Sequence, residues 1–299
     1  MNREENVKKS FDAIMALKGA DEFKAKIQNL HNFLKNKDAH VSFADVTLPN
    51  YLWIAKRGGG VTTLLNAFAE YLYATNAIAF CGLERFLEFK LDYISPDAPF
   101  SELTRFDRTI AARTGHNRYY RGVVCVNIDD WQNTADEDHF MKFVNFVASN
   151  RDKWLTILYI NTEKKDVVES IEVALAMYMN FKTIKLRFPD EHELMELVEN
   201  RLLKNSIKLD ENAKALLRET IKEISKGKHF NGFKTIKQLT EEIRYKILTE
   251  NSGKKQIITA KMLADFDKDS DYVKRRKAQI GNRKSIGFAG AGGYENEPR

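Results

Sequence analysis

Apolar and polar positions along the chain repeat with two periods. Short, nearly continuous apolar runs occupy 52–55, 77–81, 123–128 and 155–160, and 183–188 alternates through Ile184, Leu186 and Phe188. Each reads as a strand, and VVCVNI at 123–128 has the β-branched continuity of one buried on both faces. Between them the spacing changes to that of helices. Asp21 is an N-cap for a helix over 22–35 whose one face carries Phe23, Ile27, Leu30 and Leu34. A run over 62–73 turns Leu65, Phe68, Ala69 and Leu72 inward, and further helices are predicted at 1–17, 100–113, 135–150 and 165–179. Residues 83–120 are otherwise mixed and broken by Pro96 and Pro99. Strands alternating with helices predict an α/β fold with a doubly wound, parallel, five-stranded sheet.

The character changes at Pro189. Three helical runs follow, 190–204, 210–225 and 233–250, with Asp190 and Asp210 as N-caps and no strand predicted among them. The expected organisation is an α/β domain over 1–189, a small all-helical domain over 190–265 and a flexible tail over 266–299.

The junction of the first strand and its helix carries candidate chemistry. LWIAKRGGGVTTLL at 52–65 runs from strand through Gly58-Gly59-Gly60 into a helix that opens on Thr62 and Thr63. Glycines let backbone N–H groups curl round an anion, and a helix N-terminus adds positive dipole. Laid on G-x-x-x-x-G-K-[ST], Gly60 is the last glycine and Thr62 the metal-binding hydroxyl, while Ala55 and Val61 stand where the first glycine and the lysine would be. This is a P-loop shape without its phosphate lysine. A tight turn with no ligand is the competing reading.

Downstream, the strand 123–128 ends in Asp129-Asp130, and the strand 155–160 in Asn161. Acids at the carboxyl edge of a buried parallel strand lie where ligands bind in open α/β sheets, and there they hold Mg²⁺ and polarise water. Asp129 as a simple helix cap is the alternative.

Composition narrows the rest. The chain has 299 residues, 43% of them hydrophobic, enough for one large α/β unit and a smaller one. No apolar run approaches the roughly 18–20 residues that cross a bilayer, and the polar start MNREENVKK leads into no signal-like segment, so a cytoplasmic location is expected. Cys81 and Cys125 lie in apolar runs and read as buried thiols. The net charge of +6 is carried by 272–284, YVKRRKAQIGNRK, whose six cations leave 42 basic residues against 42 acidic ones elsewhere. That segment is a candidate contact for nucleic acid or an acidic partner, or a solvated tail. The six histidines show no metal-ligand spacing, and no H-E-x-x-H, C-x-x-C or G-x-S-x-G occurs.

Strand, glycine loop, helix, acidic strand end, Asn-ended strand and helical lid come in the order of an AAA+ ATPase. The chain most resembles the CbxX/CfqX-like branch that includes red-type Rubisco activase and sporulation protein K. KGADEFKAKIQNLHNFLK at 18–35 looks like the helix before the P-loop, which places Lys18, Gly19 and Ala20 near adenine. Asp129 and Asp130 match the Walker B pair with Asp in place of Glu, Asn161 matches sensor 1, and FNGFKTIKQL at 230–239 resembles the lid motif, placing Lys234 on the sensor-2 arginine. The resemblance implies ATP or ADP with Mg²⁺ as cofactor, held by Gly58, Gly59, Gly60, Val61, Thr62, Thr63 and Lys234, with Thr62 and Asp129 at the metal and Asp129, Asp130 and Asn161 as catalytic positions. It also implies homo- or hetero-oligomers with AAA+ subunits.

The departures from that pattern are several. Val61 replaces the lysine, and Lys56 or Arg57 is the cation left to substitute. ALAMYMNF at 174–181 puts Tyr178 and Asn180 where trans-acting arginines would stand, and DYISPDAPFSE at 92–102 replaces the pore loop. The expectation is a degenerate AAA+ subunit that binds nucleotide weakly or structurally, with little hydrolysis, and works through assembly or a protein partner. The alternatives are an active ATPase with a divergent P-loop and a nucleic-acid-associated factor using 272–284.

Overall fold

A computed structural model of the chain describes residues 3–35, 48–78, 80, 85–90, 121–129, 137–149, 154–227, 230–250 and 256–269. They form two compact units, the first of residues 1–190 with 231–233 and the second of 191–230 with 234–299.

In the first unit the chain runs α1 (Arg3–Met15), α2 (Asp21–Lys35), β1 (Asn50–Ala55), α3 (Val61–Thr75), β2 (Phe86–Lys90), β3 (Gly122–Asn127), α4 (Glu137–Ser149), β4 (Trp154–Ile160), α5 (Lys165–Ala176) and β5 (Phe181–Leu186). The strands form one five-stranded sheet in the order β2-β3-β4-β1-β5. Every pairing is parallel: Phe86 registers with Val123, Cys125 with Ile157, and Leu52 with both Leu158 and Thr183. Helices cover both faces. Phe23, Phe68, Leu72 and Tyr71 pack with Trp53, Cys125 and Ile157 on one, and Phe143, Val144, Val147, Ile171 and Leu175 pack with Leu52, Val124 and Val126 on the other. The doubly wound sheet expected from the alternation is thus present, and burial on both faces explains its apolar inner strands. The connection from β1 to β2 leaps the places later filled by β4 and β3, and the connection from β4 to β5 crosses over β1. The chain therefore lays strands on both sides of β1, and in open α/β sheets ligands bind outside the carboxyl ends of the strands at such a point.

The predicted strand 77–81 is not a strand where it is described (79 and 81 lie outside the described residues), and a strand that the pattern did not predict appears. Ala77 is no strand: its N–H donates to the Leu72 carbonyl (3.1 Å) while Asn76, at φ 53°, caps α3 in the left-handed region. Ala77 and Ile78 are apolar because they close that cap over the core, the usual hydrophobic contact of a helix C-terminus. The sheet's edge is instead β2, FLEFK, where charges at Glu88 and Lys90 alternate with apolar residues. At the start of α2, Asp21 lies within the first turn, and the Ala20 carbonyl accepts the first helical bond, from Lys24 N (2.8 Å). The segment 100–113, read as a helix, lies outside the described residues.

The second unit holds α6 (Glu191–Leu203), β6 (Ile207–Leu209), α7 (Glu211–Ser225), most of α8 (Gly232–Glu250), β7 (Gln256–Ile258) and α9 (Ala260–Asp269). It is helical but not wholly so. β6 and β7 pair in parallel with Ile207 opposite Gln256, and Asp210 N donates to the Ile258 carbonyl (2.9 Å). Three residues in each strand carry too little pattern to stand out between helices. Asp210 caps α7 by accepting from Ala213 N (2.6 Å). No helix among the described residues is long and apolar enough to cross a membrane.

Candidate functional site

The loop after β1 is built by its glycines. Gly59 N donates to the Lys56 carbonyl (2.9 Å), closing a tight turn with Gly58 at φ 84°. Gly60, at φ 87°, then precedes α3 as its N-cap and supplies no side chain to cap it. L-residues are strained at both angles, which accounts for two of the three glycines. The third observation concerns what lies against the loop. The Gly58 carbonyl accepts from Phe233 N (3.2 Å), a Cβ at Gly58 would collide with the Asn231 backbone, and a Cβ at Gly60 would stand 3.1 Å from the Phe233 ring. The segment Asn231–Phe233, which belongs to the first unit, covers the glycines.

Around the loop, each candidate residue has a definite place. Val61 points into the core with Leu64, Leu65 and Phe68, 9% exposed. Thr63 is exposed, as is Lys234 in the second unit. Lys56 pairs with Glu163 (3.3 Å) just beyond β4. Thr62 Oγ1 donates to both carboxylate oxygens of Glu88, at 3.0 and 3.2 Å. Further back, Gly19 accepts from Arg187 N (2.7 Å), so the 18–20 segment lies along the end of β5.

Beyond β3, Asp129 is held by its neighbours. Its carboxylate accepts from Asn161 N (2.6 Å), from the Asn161 side-chain amide and from Asn127 Nδ2 (2.9 Å). Its own N–H donates to Asn127 Oδ1 (3.1 Å). Asp130 lies outside the described residues. The strand register brings Asn127 opposite Tyr159. The Tyr159 hydroxyl donates to Glu88 Oε1 (3.3 Å) and also hydrogen-bonds with Asn127. Burial, then the Glu88 charge, pushes the Tyr159 phenol well above its ordinary pKa, and the same two causes raise the buried Cys125 thiol. Both groups are neutral at physiological pH. A continuous polar row results: Thr62, Glu88, Tyr159, Asn127, Asp129, Asn161.

No family model matches the chain, and no curated protein matches it in sequence. Among solved structures its trace is similar to that of RuvB from Thermotoga maritima, described as a Holliday junction branch migration motor, at 13% identity and a TM-score of 0.47, over 80% of this chain and 68% of that one. A point variant of the same RuvB gives 14% identity and 0.49, over 85% and 72%. A DNA replication initiation factor gives 12% and 0.45, over 78% and 64%. Likeness at this level carries no argument, and the fold is defined by the strand order itself.

A nucleotide's phosphates and Mg²⁺ fit these residues poorly. The glycine loop and helix N-terminus supply an anion-binding shape. The lysine that would neutralise phosphate charge is a core valine, the hydroxyl that would bind metal is engaged by a carboxylate, and the acid that would face the metal is bound by two asparagines. No cluster of metal-ligating side chains occurs among the described residues. Sequence reading missed Glu88, Tyr159 and Asn127. Their signal was a polar residue inside a strand: Glu88 within FLEFK and Asn127 within VVCVNI.

Proposed function

We propose that the chain is an AAA+-type subunit, nearest the CbxX/CfqX-like branch, that retains the nucleotide-binding architecture and acts by assembly or partner binding, without efficient ATP hydrolysis. The observation that carries this reading is the fate of Val61. The position that normally reaches the β- and γ-phosphates is packed into the core, and removing a cation from the phosphate clamp forfeits much of the transition-state stabilisation. Lys56, the nearby substitute, is paired with Glu163. Asp129, with its oxygens occupied by Asn161 and Asn127, is poorly placed to hold a metal or orient water. ATP or ADP then serves, where it binds, as a weak or structural ligand. The work is done through homo- or hetero-oligomers or another protein.

Calorimetry with MgATP and MgADP, run beside a turnover assay and a sizing measurement on the same sample, tests this. Weak or no binding, turnover at background and an oligomer agree with the proposal. Mg²⁺-dependent turnover that disappears in Asp129→Asn would sink it and direct attention to Lys56 and Arg57.

A further inference from the structure

The glycine loop is covered by a segment far from it in the chain. Phe233 N donates to the Gly58 carbonyl (3.2 Å), and the Phe233 ring stands 3.1 Å from where a Cβ on Gly60 would be. Asn231 lies so close to Gly58, and Gly232 to the Gly58 carbonyl, that a Cβ on either glycine would collide with backbone. Gly232 is buried and sits at φ 44°, in the left-handed region that favours glycine. A Cβ on Gly232 would also stand 3.0 Å from Phe188 Cε2, just past β5. Next to Phe188, Arg187 N donates to the Gly19 carbonyl (2.7 Å). Contacts thus run from the loop, through Asn231–Phe233 and the end of β5, to the 18–20 segment, all within the first unit.

We propose that Asn231–Phe233 is an autoinhibitory strap that closes the glycine loop to polyphosphate, so that an anion reaches the loop and the start of α3 only when the strap lifts. A glycine loop at a helix N-terminus binds an anion because the ligand can come up against bare backbone. Here the chain's own backbone has taken that close approach, at Gly58 from Asn231 and Gly232, with the Phe233 ring over Gly60. The strap is also placed to open. Gly232 and Phe233 are the first residues of α8, Asn231 and Phe233 are only half-buried, and helix ends part locally at far lower cost than the strands of a sheet core. The strap rests on the reading of the loop as retained nucleotide-binding architecture, and adds to it what keeps the phosphate chain out.

The test uses the full chain and the variant Gly232→Ala, whose methyl would be driven into the Gly58 carbonyl and so act as a wedge under the strap. Calorimetry measures affinity for inorganic tripolyphosphate, ATP and adenosine, and amide hydrogen exchange at residue 233 reports whether the strap has lifted. A strap closed nine times in ten or more weakens apparent affinity by about tenfold or more. The expected result is faster exchange at 233 with a gain of about tenfold or more for tripolyphosphate and ATP, and no gain for adenosine alone. A gain for ATP without one for tripolyphosphate would place the obstruction at the nucleoside and overturn the proposal. Faster exchange with unchanged affinity overturns it too, as does no tripolyphosphate binding in either protein. Should Gly232→Ala fail to fold in a thermal melt, or leave exchange at 233 slow, Phe233→Ala decides. It takes the ring off Gly60 and should raise tripolyphosphate affinity in the same direction, and unchanged affinity there refutes the strap. Turnover by the wild type decides the broader functional reading, so the two fail separately.

Discussion

Replacing the loop glycines one at a time by alanine separates backbone strain from crowding, and the three sites should respond unequally. Gly58 stands at φ 84°, where an L-residue costs about 1–2 kcal/mol, and its new Cβ would run into the Asn231 backbone, which has no flexible end to move aside. Overpacking of that kind adds about 1–3 kcal/mol. Gly58→Ala is therefore expected to cost about 2–5 kcal/mol. Gly60 at φ 87° carries the same strain, but the neighbour of its Cβ is the Phe233 ring at 3.1–3.2 Å, a side chain that can yield by a few tenths of an ångström. Its cost should stay near the strain alone, about 1–2 kcal/mol. Gly59 has no positive φ, and its Cβ would stand 2.9 Å from the Lys56 carbonyl within its own turn, a crowding worth about 1 kcal/mol. Urea unfolding followed by tryptophan fluorescence reads the first unit selectively, since Trp53, Trp131 and Trp154 all lie in it. The order expected is Gly58 worst, then Gly60, then Gly59, with the slope unchanged. Gly58→Ala within about half a kcal/mol of wild type, or Gly59→Ala costing more than Gly58→Ala, would show that Asn231–Phe233 does not rest on the loop.

Other consequences follow from single contacts. Asn50 Oδ1 accepts the Thr156 N–H (3.0 Å) at the start of β4, so Asn50→Ala strands a buried donor and should cost about 1–3 kcal/mol in the same urea assay. Asp210→Ala removes the side-chain cap of α7 and should cost the second unit about 1 kcal/mol, visible as lower helix-melting temperature by circular dichroism at 222 nm. His31 is buried between α1 and α3, stacked on Phe11 at 4.0 Å with Nδ1 3.2 Å from the Tyr71 hydroxyl. Desolvation, then the Lys35 charge, lowers its pKa below 6.5. A depressed folded value means that the unfolded chain binds the proton first, so stability is full above pH 6.5 and falls as the pH drops below it. His31→Phe should flatten that acid limb, and an unchanged slope between pH 7 and 5 in the variant would refute the assignment.

How much of this was legible in the sequence depended on how each residue is buried. The inner strands announced themselves because a parallel strand covered on both faces must be apolar throughout, as VVCVNI nearly is. The edge strand β2 did not, since FLEFK interrupts its apolar residues with Glu88 and Lys90. The apolar Ala77–Ile78 pair was misleading for a related reason: a helix C-cap also needs apolar residues, and periodicity cannot tell two residues of cap from the start of a strand. β6 and β7, three residues each, fall below the length at which alternation can be seen at all. The Asp210 cap was readable because its chemistry is local, one oxygen and one N–H three residues on.

The site divides along the same line. The glycine loop was visible because its requirements are written into consecutive residues: strand, turn, left-handed glycine, helix. The polar row across the sheet was not, because its members are far apart in the chain and meet only through strand order. Thr62 and Glu88 are 26 residues apart, and Tyr159 is 71 beyond Glu88. Yet two members broke a local rule. An asparagine in the last place of a six-residue buried strand, only 4% exposed, must find partners there, since an orphaned buried amide is costly. A glutamate amid Phe86, Leu87 and Phe89 on a strand next to β3 makes the same demand. Polar residues inside apolar strands therefore carried the information that the motif-matching positions lacked. Glu88 and Asn127 each break the apolar pattern of their own strand, and that violation is written in the sequence.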